Sequence, residues 1–255
     1  MRTRIFVVVF VCKPLSIIGL IYLPKIIFYK EWISVKMDTT KKLCALAMMS
    51  ALAFVLAAFV RIPMVSMPPL ILRYDPKDVI IVIAGFIYGP MSAILVAAVV
   101  SFIQMITVSA TGFFGLFMNI SASVAFCCPA ALIYKKNRTV KGAILGLAIG
   151  VVFATAIMLM LNSFIVPLFT NRPREQVLPF LIPAFLPFNL ISNTLNAALA
   201  MLFYKHIKAI LQSTGLMPIT EDTGKKGEFS KSIFIASLFV ILTCVVWVLI
   251  LQGIL

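Results

Sequence analysis

Charged side chains are scarce in this sequence. Of its 255 residues, 12% are charged and 62% are hydrophobic, whereas a soluble domain carries about 25% charged residues. The mean hydropathy of +1.12 points the same way. A chain of this composition cannot cover its own surface with polar groups, so a soluble globular fold is excluded and an integral membrane protein is indicated.

Acidic residues and histidine are rarer still, with 8 Asp and Glu residues and 1 His. We expect no acid in the middle of a core membrane helix, where proton-driven transporters place ionisable groups. One histidine cannot supply the clustered His and Glu ligands of a metalloprotease, and the sequence offers no serine–base pair. We therefore predict no catalytic residues, no metal site, no cofactor and no enzymatic activity.

A phosphate-binding loop of the form Gly-x-x-x-x-Gly-Lys-[Ser/Thr] is also missing from the sequence. The chain therefore has neither the ATP-binding signature nor the intramembrane acids of a proton-coupled carrier. If a protein of this sequence moves a solute uphill, its energy must come from another subunit.

Positive charge, in contrast, is abundant, with a net charge of +14. The basic residues stand at the ends of apolar segments, which is typical of the cytoplasmic loops of membrane proteins. We therefore predict contact with membrane lipid and no nucleic-acid partner. The basic clusters are Lys41 and Lys42, then Lys135, Lys136, Arg138 and Lys141, and then Lys205, Lys208, Lys225 and Lys226.

Long apolar stretches approach the roughly 20 residues that a helix needs to cross a bilayer. Only helices and closed barrels satisfy their backbone groups in lipid, and these stretches lack the alternating pattern of barrel strands. The sequence thus predicts an all-α, multi-pass protein of the cell membrane. The stretches lie near 42–60, 90–107, 115–134, 143–168, 187–204 and 232–251.

The stretch 78–107 is too long for a single crossing, because a helix of that length would extend about 45 Å against a bilayer core of about 30 Å. Gly89–Pro90 interrupts it. With Lys41 and Lys42 in the cytoplasm, the basic cluster at 135–141 reaches the same side only if 78–107 crosses as two elements. We therefore predict a broken second helix, with a short part near 78–89 and a second part near 90–107.

Three loops face outward in this topology, at 61–77, 108–114 and 169–186. The first and third are rich in proline, which favours fixed, non-helical loops.

The chain divides into four regions in this interpretation. Residues 37–211 form a six-helix membrane domain with a cytoplasmic N-terminus, 212–230 a polar linker, and 231–255 an additional transmembrane helix. The hydrophobic extension 1–36 precedes Met37, which begins a polar, basic segment running directly into a helix. We expect Met37 to be the physiological start. The alternative is a genuine additional membrane segment before it.

Neutral amides lie within the apolar stretches. Asn189, Asn193 and Asn196 are spaced i, i+4, i+7 and share one helix face. An amide both donates and accepts, so it can match a ligand edge that alternates C=O and N–H groups. Hydrogen bonding between helices is the alternative role. The remaining amides are Gln104, Asn119 and Asn162.

Aromatic residues cluster where the amides approach the outer loops, and such walls suit a flat apolar ring system. Ordinary core packing is the alternative. These residues are Tyr74, Phe113, Phe114, Phe117, Phe164, Phe185 and Phe188.

Small residues recur at four-residue spacing and allow close helix–helix approach. Such a stripe packs inside the protein or, if it faces lipid, docks another membrane protein. The stripes are Ala47/Ala51, Ala53/Ala57, Ala93/Ala97 and Gly142/Gly146/Gly150.

Several segments together resemble the substrate-binding S components of energy-coupling factor (ECF) transporters, specifically the riboflavin-binding RibU type. The resemblance spans about 42–211. Its carriers are LRYDPKDVIIVIAGFIYGP (72–90), TGFFGLFMNISASVAF (111–126), VKGAILGLAIG (140–150), MLMLNSFIVPLF (158–169) and PFNLISNTLNAALAMLFYK (187–205).

The resemblance implies a six-helix fold that captures riboflavin from outside, with delivery powered by a transmembrane coupling subunit and two ATP-binding subunits. It implies that Asn162 and Asn189 hydrogen-bond the polar edge of the flavin. Ser192 stands where the family often has lysine, and Asn193 is expected to compensate. The first outer loop, which carries Tyr74 and Asp75, is expected to close over the ligand. Phe188 completes the expected site, and Ala47 and Ala51 match the family's coupling motif.

Other interpretations remain open on sequence alone. An S component for a different vitamin is the nearest alternative, and a ligand-binding screen separates the two. An ATP-independent facilitator would instead show flavin uptake in vesicles that lack any ATPase.

Overall fold

A computed structural model of the chain describes residues 39–67, 70–108, 111–171, 173–214 and 231–251. The hydrophobic extension 1–36 and most of the linker 212–230 lie outside these residues. Within the described ranges, seven helices of 12 or more residues follow one another. They are α1 (Thr39–Phe59), α2 (Lys77–Tyr88), α3 (Pro90–Thr107), α4 (Gly112–Lys136), α5 (Val140–Thr170), α6 (Leu186–Ser213) and α7 (Lys231–Leu251).

Five stretches of the described helices are long and apolar enough to cross a membrane, in α1, α3, α4, α5 and the run that ends in α6. Their lipid-facing sides carry exposed Leu, Ile, Val and Phe side chains. The prediction of an all-α membrane protein with a six-helix core and an additional C-terminal hydrophobic helix is confirmed.

The predicted break in the second membrane segment is also confirmed. α2 ends at Tyr88 and α3 begins at Pro90, with Gly89 between them at φ 93°. This left-handed conformation favours glycine, which has no Cβ to clash. Pro90 occupies the first turn of α3, where a missing N–H breaks no helical hydrogen bond.

α2 forms the centre of the bundle. It contacts α1, α3, α4 and α6, and its middle residues Ile81, Val82, Ile83 and Ala84 are fully buried. A helix that is hydrophobic on every side belongs inside a protein. At 12 residues, about 18 Å, it spans only part of the bilayer core.

A close helix–helix approach joins α4 and α5 through the glycine stripe of α5. A Cβ on Gly146 would lie 2.8 Å from the backbone oxygen of Ala130, and one on Gly150 would lie 2.5 Å from that of Phe126. Gly142 meets the backbone oxygen of Asn137 at the turn before α5. This stripe therefore packs internally, because no larger residue fits between the two backbones.

The loop at 61–77 forms a two-stranded antiparallel hairpin, which sequence reasoning predicted only as a fixed loop. β1 (Ile62–Met67) pairs with β2 (Leu70–Tyr74), with an irregular register between Pro63 and Val65. Arg61 precedes the hairpin. Its guanidinium donates to the carbonyl oxygens of Ala57 and Val108, which end α1 and α3, a favourable place for a cation.

The predicted non-helical loop at 169–186 is wrong. α5 continues to Thr170, and short helical turns occupy Arg174–Val177, Leu178–Phe180 and Leu181–Phe185 before α6. Proline does not prevent this, because Pro179 stands in the first turn of its segment, where the missing N–H has no helical partner.

α7 packs alongside α6 and also touches β1. A shared apolar group of buried side chains joins the hairpin, α6 and α7, and we call it the hairpin cluster. Its members are Met64, Tyr74, Ile191, Leu195, Cys244 and Val248.

The contact between α4 and α5 predicts a strong size limit at Gly150. Gly150→Val should force the two backbones apart and lower stability by about 1–3 kcal/mol, the usual cost of overpacking. Thermal unfolding of the detergent-purified variant measures this. Ala148→Val is the matched control because Ala148 is exposed on the other side of α5. Equal melting temperatures for the two variants would contradict the close packing.

Candidate functional site

The hairpin lies against α6 through two side-chain contacts. The Tyr74 hydroxyl donates to Asn196 Oδ1 at 2.8 Å, and Ser192 Oγ lies 3.6 Å from the sulfur of Met64. Tyr74 and Asn196 are buried, at 3% and 2% exposure. The end of β2 is therefore attached to the amide face of α6, and Asn196 holds the hairpin.

Burial of Tyr74 raises the pKa of its phenol, and the nearby carboxylates of Asp78 and Asp75 raise it further. The phenol therefore keeps its proton throughout the physiological pH range. Its bond to Asn196 is that of a neutral donor, so this hydrogen bond does not depend on pH near neutrality.

Asn162 and Asn189 occupy equivalent levels on α5 and α6. Val166 and Phe185 belong to one buried apolar group. Asn162 lies one turn before Val166 along α5, and Asn189 lies one turn after Phe185 along the chain. Since α5 runs toward the hairpin end and α6 runs away from it, both amides lie just beneath this group. The two are buried, at 4% and 6% exposure.

Each of these two amides donates its nitrogen to a carbonyl of its own helix. Asn162 Nδ2 donates to Met158 O and Asn189 Nδ2 to Phe185 O, each at 2.7 Å. The side-chain oxygens are thereby left to accept a hydrogen bond from a ligand. On α6, Phe188 directly precedes Asn189, and Ser192 and Asn193 follow it; Asn193 is buried and the other two are half-buried.

Asp75 lies in a second polar group, between α2, α3 and α4. Its carboxylate accepts from Gln104 Nε2 at 2.7 Å and pairs with Lys77 Nζ at 3.3 Å. Lys77 Nζ also donates to Asn119 Oδ1 at 3.0 Å. Gln104 Oε1 has no hydrogen-bond partner among the described residues. We call Asp75, Lys77, Gln104 and Asn119 the polar group.

A neighbouring acid is buried in the first turn of α2. Asp78 accepts from Ser123 Oγ of α4 at 2.5 Å, and the Cys127 thiol approaches its backbone oxygen at 3.9 Å. Sequence reasoning gave Asp78 no role in the site. Its position directly after the Asp75–Pro76–Lys77 turn, at the start of an apolar helix, is the signal that marks burial.

The expected site residues thus lie in two places at the hairpin end. Tyr74, Phe188, Asn189, Ser192 and Asn193 lie along the hairpin–α6 contact, and Asn162 lies at the same level on α5. Asp75 lies across the bundle in the polar group. Lys77 and Asn196 were missed as site residues, although Asn196 continues the i, i+4, i+7 amide face.

Most of the aromatic residues near this end point outward. Phe113 is 79% exposed, and Phe114, Phe117 and Phe164 are exposed as well, whereas Phe185 is buried. Phe164 carries the Arg174 guanidinium 4.5 Å above its ring, which ties the short turns after α5 to that helix. On α1, Ala47 and Ala51 are exposed, whereas Ala53 and Ala57 are buried.

A helical membrane bundle with buried amides at one end and a hairpin attached over them has the form of a substrate-binding membrane subunit. A family model described as the substrate-specific component of ECF transporters matches residues 41–255. The chain belongs to this family. The match confirms the predicted transport component, which is not an enzyme, and the multi-pass membrane location.

Relatives within the family include several riboflavin transporters. The chain is 30% identical over 182 residues to the riboflavin transporter RibU of Staphylococcus aureus (strain TCH60), covering 69% of this chain and 95% of the relative. It is 31% identical over 175 residues to the riboflavin transporter FmnP of Bacillus subtilis (strain 168), covering 65% and 91%. These relatives confirm the predicted resemblance to RibU-type S components.

A solved S component of a bacterial ECF transporter has the same fold. It superposes with a TM-score of 0.58 at 30% sequence identity, covering 69% of this chain and 99% of the other. Nearly the whole of that protein is therefore represented here.

Two variants of the polar group should differ in stability. Lys77→Met leaves the partly buried Asp75 carboxylate without its cation. This should destabilise the protein by less than the about 3–5 kcal/mol that breaking a fully buried pair costs. Adding Asp75→Asn removes the uncompensated charge, so the double variant should be more stable than Lys77→Met alone. Thermal unfolding measures the order.

Arg73→Met is the control for this pair, because it removes an exposed cation four residues away and should change little. A double variant that is less stable than Lys77→Met would contradict the role of Lys77 as the counter-ion of Asp75.

Proposed function

We propose that this chain is the substrate-binding subunit of an ECF importer that captures riboflavin outside the cell and delivers it inward with ATP hydrolysed by partner subunits. The observation that carries the proposal is the pair of buried amides, Asn162 and Asn189, at one level beneath the hairpin. The relatives that are riboflavin transporters support the choice of vitamin.

The amides suit the polar edge of a flavin, which presents C=O and N–H groups in alternation. Asn162 and Asn189 lie on separate helices, so together they can bind two points of one planar edge. Their free oxygens accept from N–H, and their nitrogens can donate to C=O after leaving Met158 O and Phe185 O. Asn193 and Ser192 extend the polar face of α6, and Phe188 offers an aromatic surface for the ring.

The hairpin is the closing element in this proposal. Tyr74 attaches it to α6 through Asn196, and Asp75 attaches it to α3 through Gln104. A ligand beneath the hairpin is shielded from water when these bonds are made, which strengthens its own hydrogen bonds. Asp75 acts here by fixing the hairpin, and Gln104 Oε1 remains available as a ligand acceptor.

The exposed face of α1 serves as the coupling surface. Ala47 and Ala51 lie one turn apart on that face, so a partner helix can approach the backbone closely. The second pair, Ala53 and Ala57, is buried and packs inside the bundle. Two alanine pairs on one helix therefore differ in role because they face different directions.

Delivery depends on the partners: a transmembrane coupling subunit and two ATP-binding subunits. The basic clusters near 41–42 and 135–141 support a cytoplasmic N-terminus of the core by the positive-inside rule. The hairpin end then faces outward in the cell membrane, where the vitamin is captured.

Riboflavin titration of amide variants tests the binding site. Asn162→Ala and Asn189→Ala should each weaken binding about thirtyfold, because a buried hydrogen-bond partner left unsatisfied costs about 2 kcal/mol. Ser192→Ala should have a smaller effect, since its hydroxyl is short. Quenching of flavin fluorescence gives the Kd. Asn137→Ala, at the opposite end of α4, is the control.

Parental affinity in folded Asn162→Ala and Asn189→Ala proteins would show that these amides only join helices. Absence of riboflavin binding by the parent, with binding of another vitamin, would overturn the proposed substrate.

Substitution of the coupling surface separates binding from transport. Ala47→Trp and Ala51→Trp should block approach of the coupling subunit, so ATP-dependent uptake into vesicles falls while the riboflavin Kd stays the same. Ala148→Trp, another exposed alanine, is the matched control. Parental uptake by the Ala47 and Ala51 variants, or accumulation without ATPase subunits, would contradict the proposed coupling.

A further inference from the structure

The additional helix α7 faces the protein through a narrow stripe. Ser237, Cys244 and Val248 are buried, with Val240 and Ile241 partly buried between them. The spacing follows one face of a helix. Small side chains at Ser237 and Cys244 permit close approach to a neighbour. Other apolar residues of α7 are exposed, including Phe239, Val245 and Trp247.

This stripe meets two elements at once. On α6 it packs against Ile191 and Leu195, and on the hairpin against Met64 and Tyr74. Ile191 and Leu195 directly precede Ser192 and Asn196 in sequence. The face of α6 that contacts α7 therefore adjoins the face that carries the polar residues of the site.

Tyr74 links the two faces. Its ring belongs to the hairpin cluster with Cys244 and Val248, while its hydroxyl reaches Asn196. The ring is thus held by α7 and α6 on its apolar sides, and the phenol is directed at the amide. Met64 links the two faces in the same way, because it belongs to the hairpin cluster and also contacts Ser192.

We propose that α7 is a built-in brace for the hairpin, and that Cys244 and Val248 are positioning residues that hold Tyr74 and Met64 in the closed arrangement. This inference rests on the proposed function, in which the hairpin closes over the ligand. Opening the hairpin to admit or release a ligand separates Met64 and Tyr74 from α7. Because that separation exposes buried apolar surface, it contributes part of the opening barrier.

Truncating the buried side chains of α7 should therefore speed ligand release. Val248→Ala and Cys244→Ala in the full chain should raise the riboflavin dissociation rate roughly fivefold, the effect of deleting a few buried atoms. Val245→Ala and Val246→Ala remove the same atoms as Val248→Ala at exposed positions (45% and 46% exposed) and should leave the rate unchanged. Stopped-flow recovery of flavin fluorescence measures it, with the melting temperature recorded for each variant.

A purely structural helix would respond differently. If α7 only stabilises the bundle, Val248→Ala and Cys244→Ala lower the melting temperature and leave the dissociation rate at the parental value. That result overturns the brace.

Cross-linking provides a second, independent test. A Met64→Cys protein in which Cys244 is the only other cysteine is treated with a short bifunctional maleimide. A protease site in the 215–230 segment is then cut in denaturant, and the α7 fragment should remain attached on a gel. In the intact cross-linked protein, riboflavin association and dissociation should slow several-fold.

Cross-linked protein with unchanged rates, or no cross-link at all, overturns the inference. Failure of the proposed function is distinct, because the uncross-linked parent then binds no riboflavin while the gel still reports the contact between α7 and the hairpin. In that case, rates are measured with the vitamin that the parent does bind.

Discussion

Residues 74–78 join the hairpin to three helices of the bundle, and the position of the site depends on these bonds. Tyr74 reaches Asn196 on α6, Asp75 reaches Gln104 on α3, and Lys77 and Asp78 reach Asn119 and Ser123 on α4. Tyr74 ends β2 and Lys77 and Asp78 begin α2, so the change from strand to helix directs neighbouring side chains toward different helices. A shift of this segment would disturb all three helices together.

The short helix α2 makes this arrangement possible. Because it covers only about 18 Å, its first turn lies within the bundle and not at its surface. Lys77 therefore contacts the Asn119 amide, and Asp78 contacts the buried Ser123 hydroxyl. Charged groups are costly in such surroundings unless they are paired. The ion pair with Asp75 and the bond from Ser123 meet this requirement, so burial of α2 and formation of the polar group depend on each other.

Sequence reasoning predicted the helices well and the loops poorly. Apolar length and the positions of lysines report membrane crossing directly, and Gly89–Pro90 marks the break between α2 and α3 by local backbone chemistry. The hairpin depends on pairing between two short strands that contain Pro63 and lack a strong alternating pattern. The short turns before α6 depend on packing of Val177 and Phe185 against Val166, which no local signal announces.

The same distinction applies within the site. The amides of α6 could be grouped because one helix face fixes their spacing. Asn162 was found among the other amides and Tyr74 among the aromatic residues, and the resemblance supplied their expected roles. Lys77 could not be assigned, because its role arises from partners on separate segments, with Asn119 42 residues away. Long-range partners of this kind depend on how helices pack, and neither hydropathy nor charge counting contains that information.

Helix α1 separates the proposed coupling surface from the site by the thickness of a single helix. Its inner face, with Ala45, Ala53 and Ala57 fully buried, packs on α2 and α3, which carry Lys77 and Gln104. Three alanines on that face bring the helix backbones close together, and the buried side chains of Leu46 and Met49 lie on the same face. In the proposed transport cycle, a movement of α2 or α3 at the polar group would reach α1 through this direct contact. It would then shift the opposite face of α1, which carries Ala47 and Ala51.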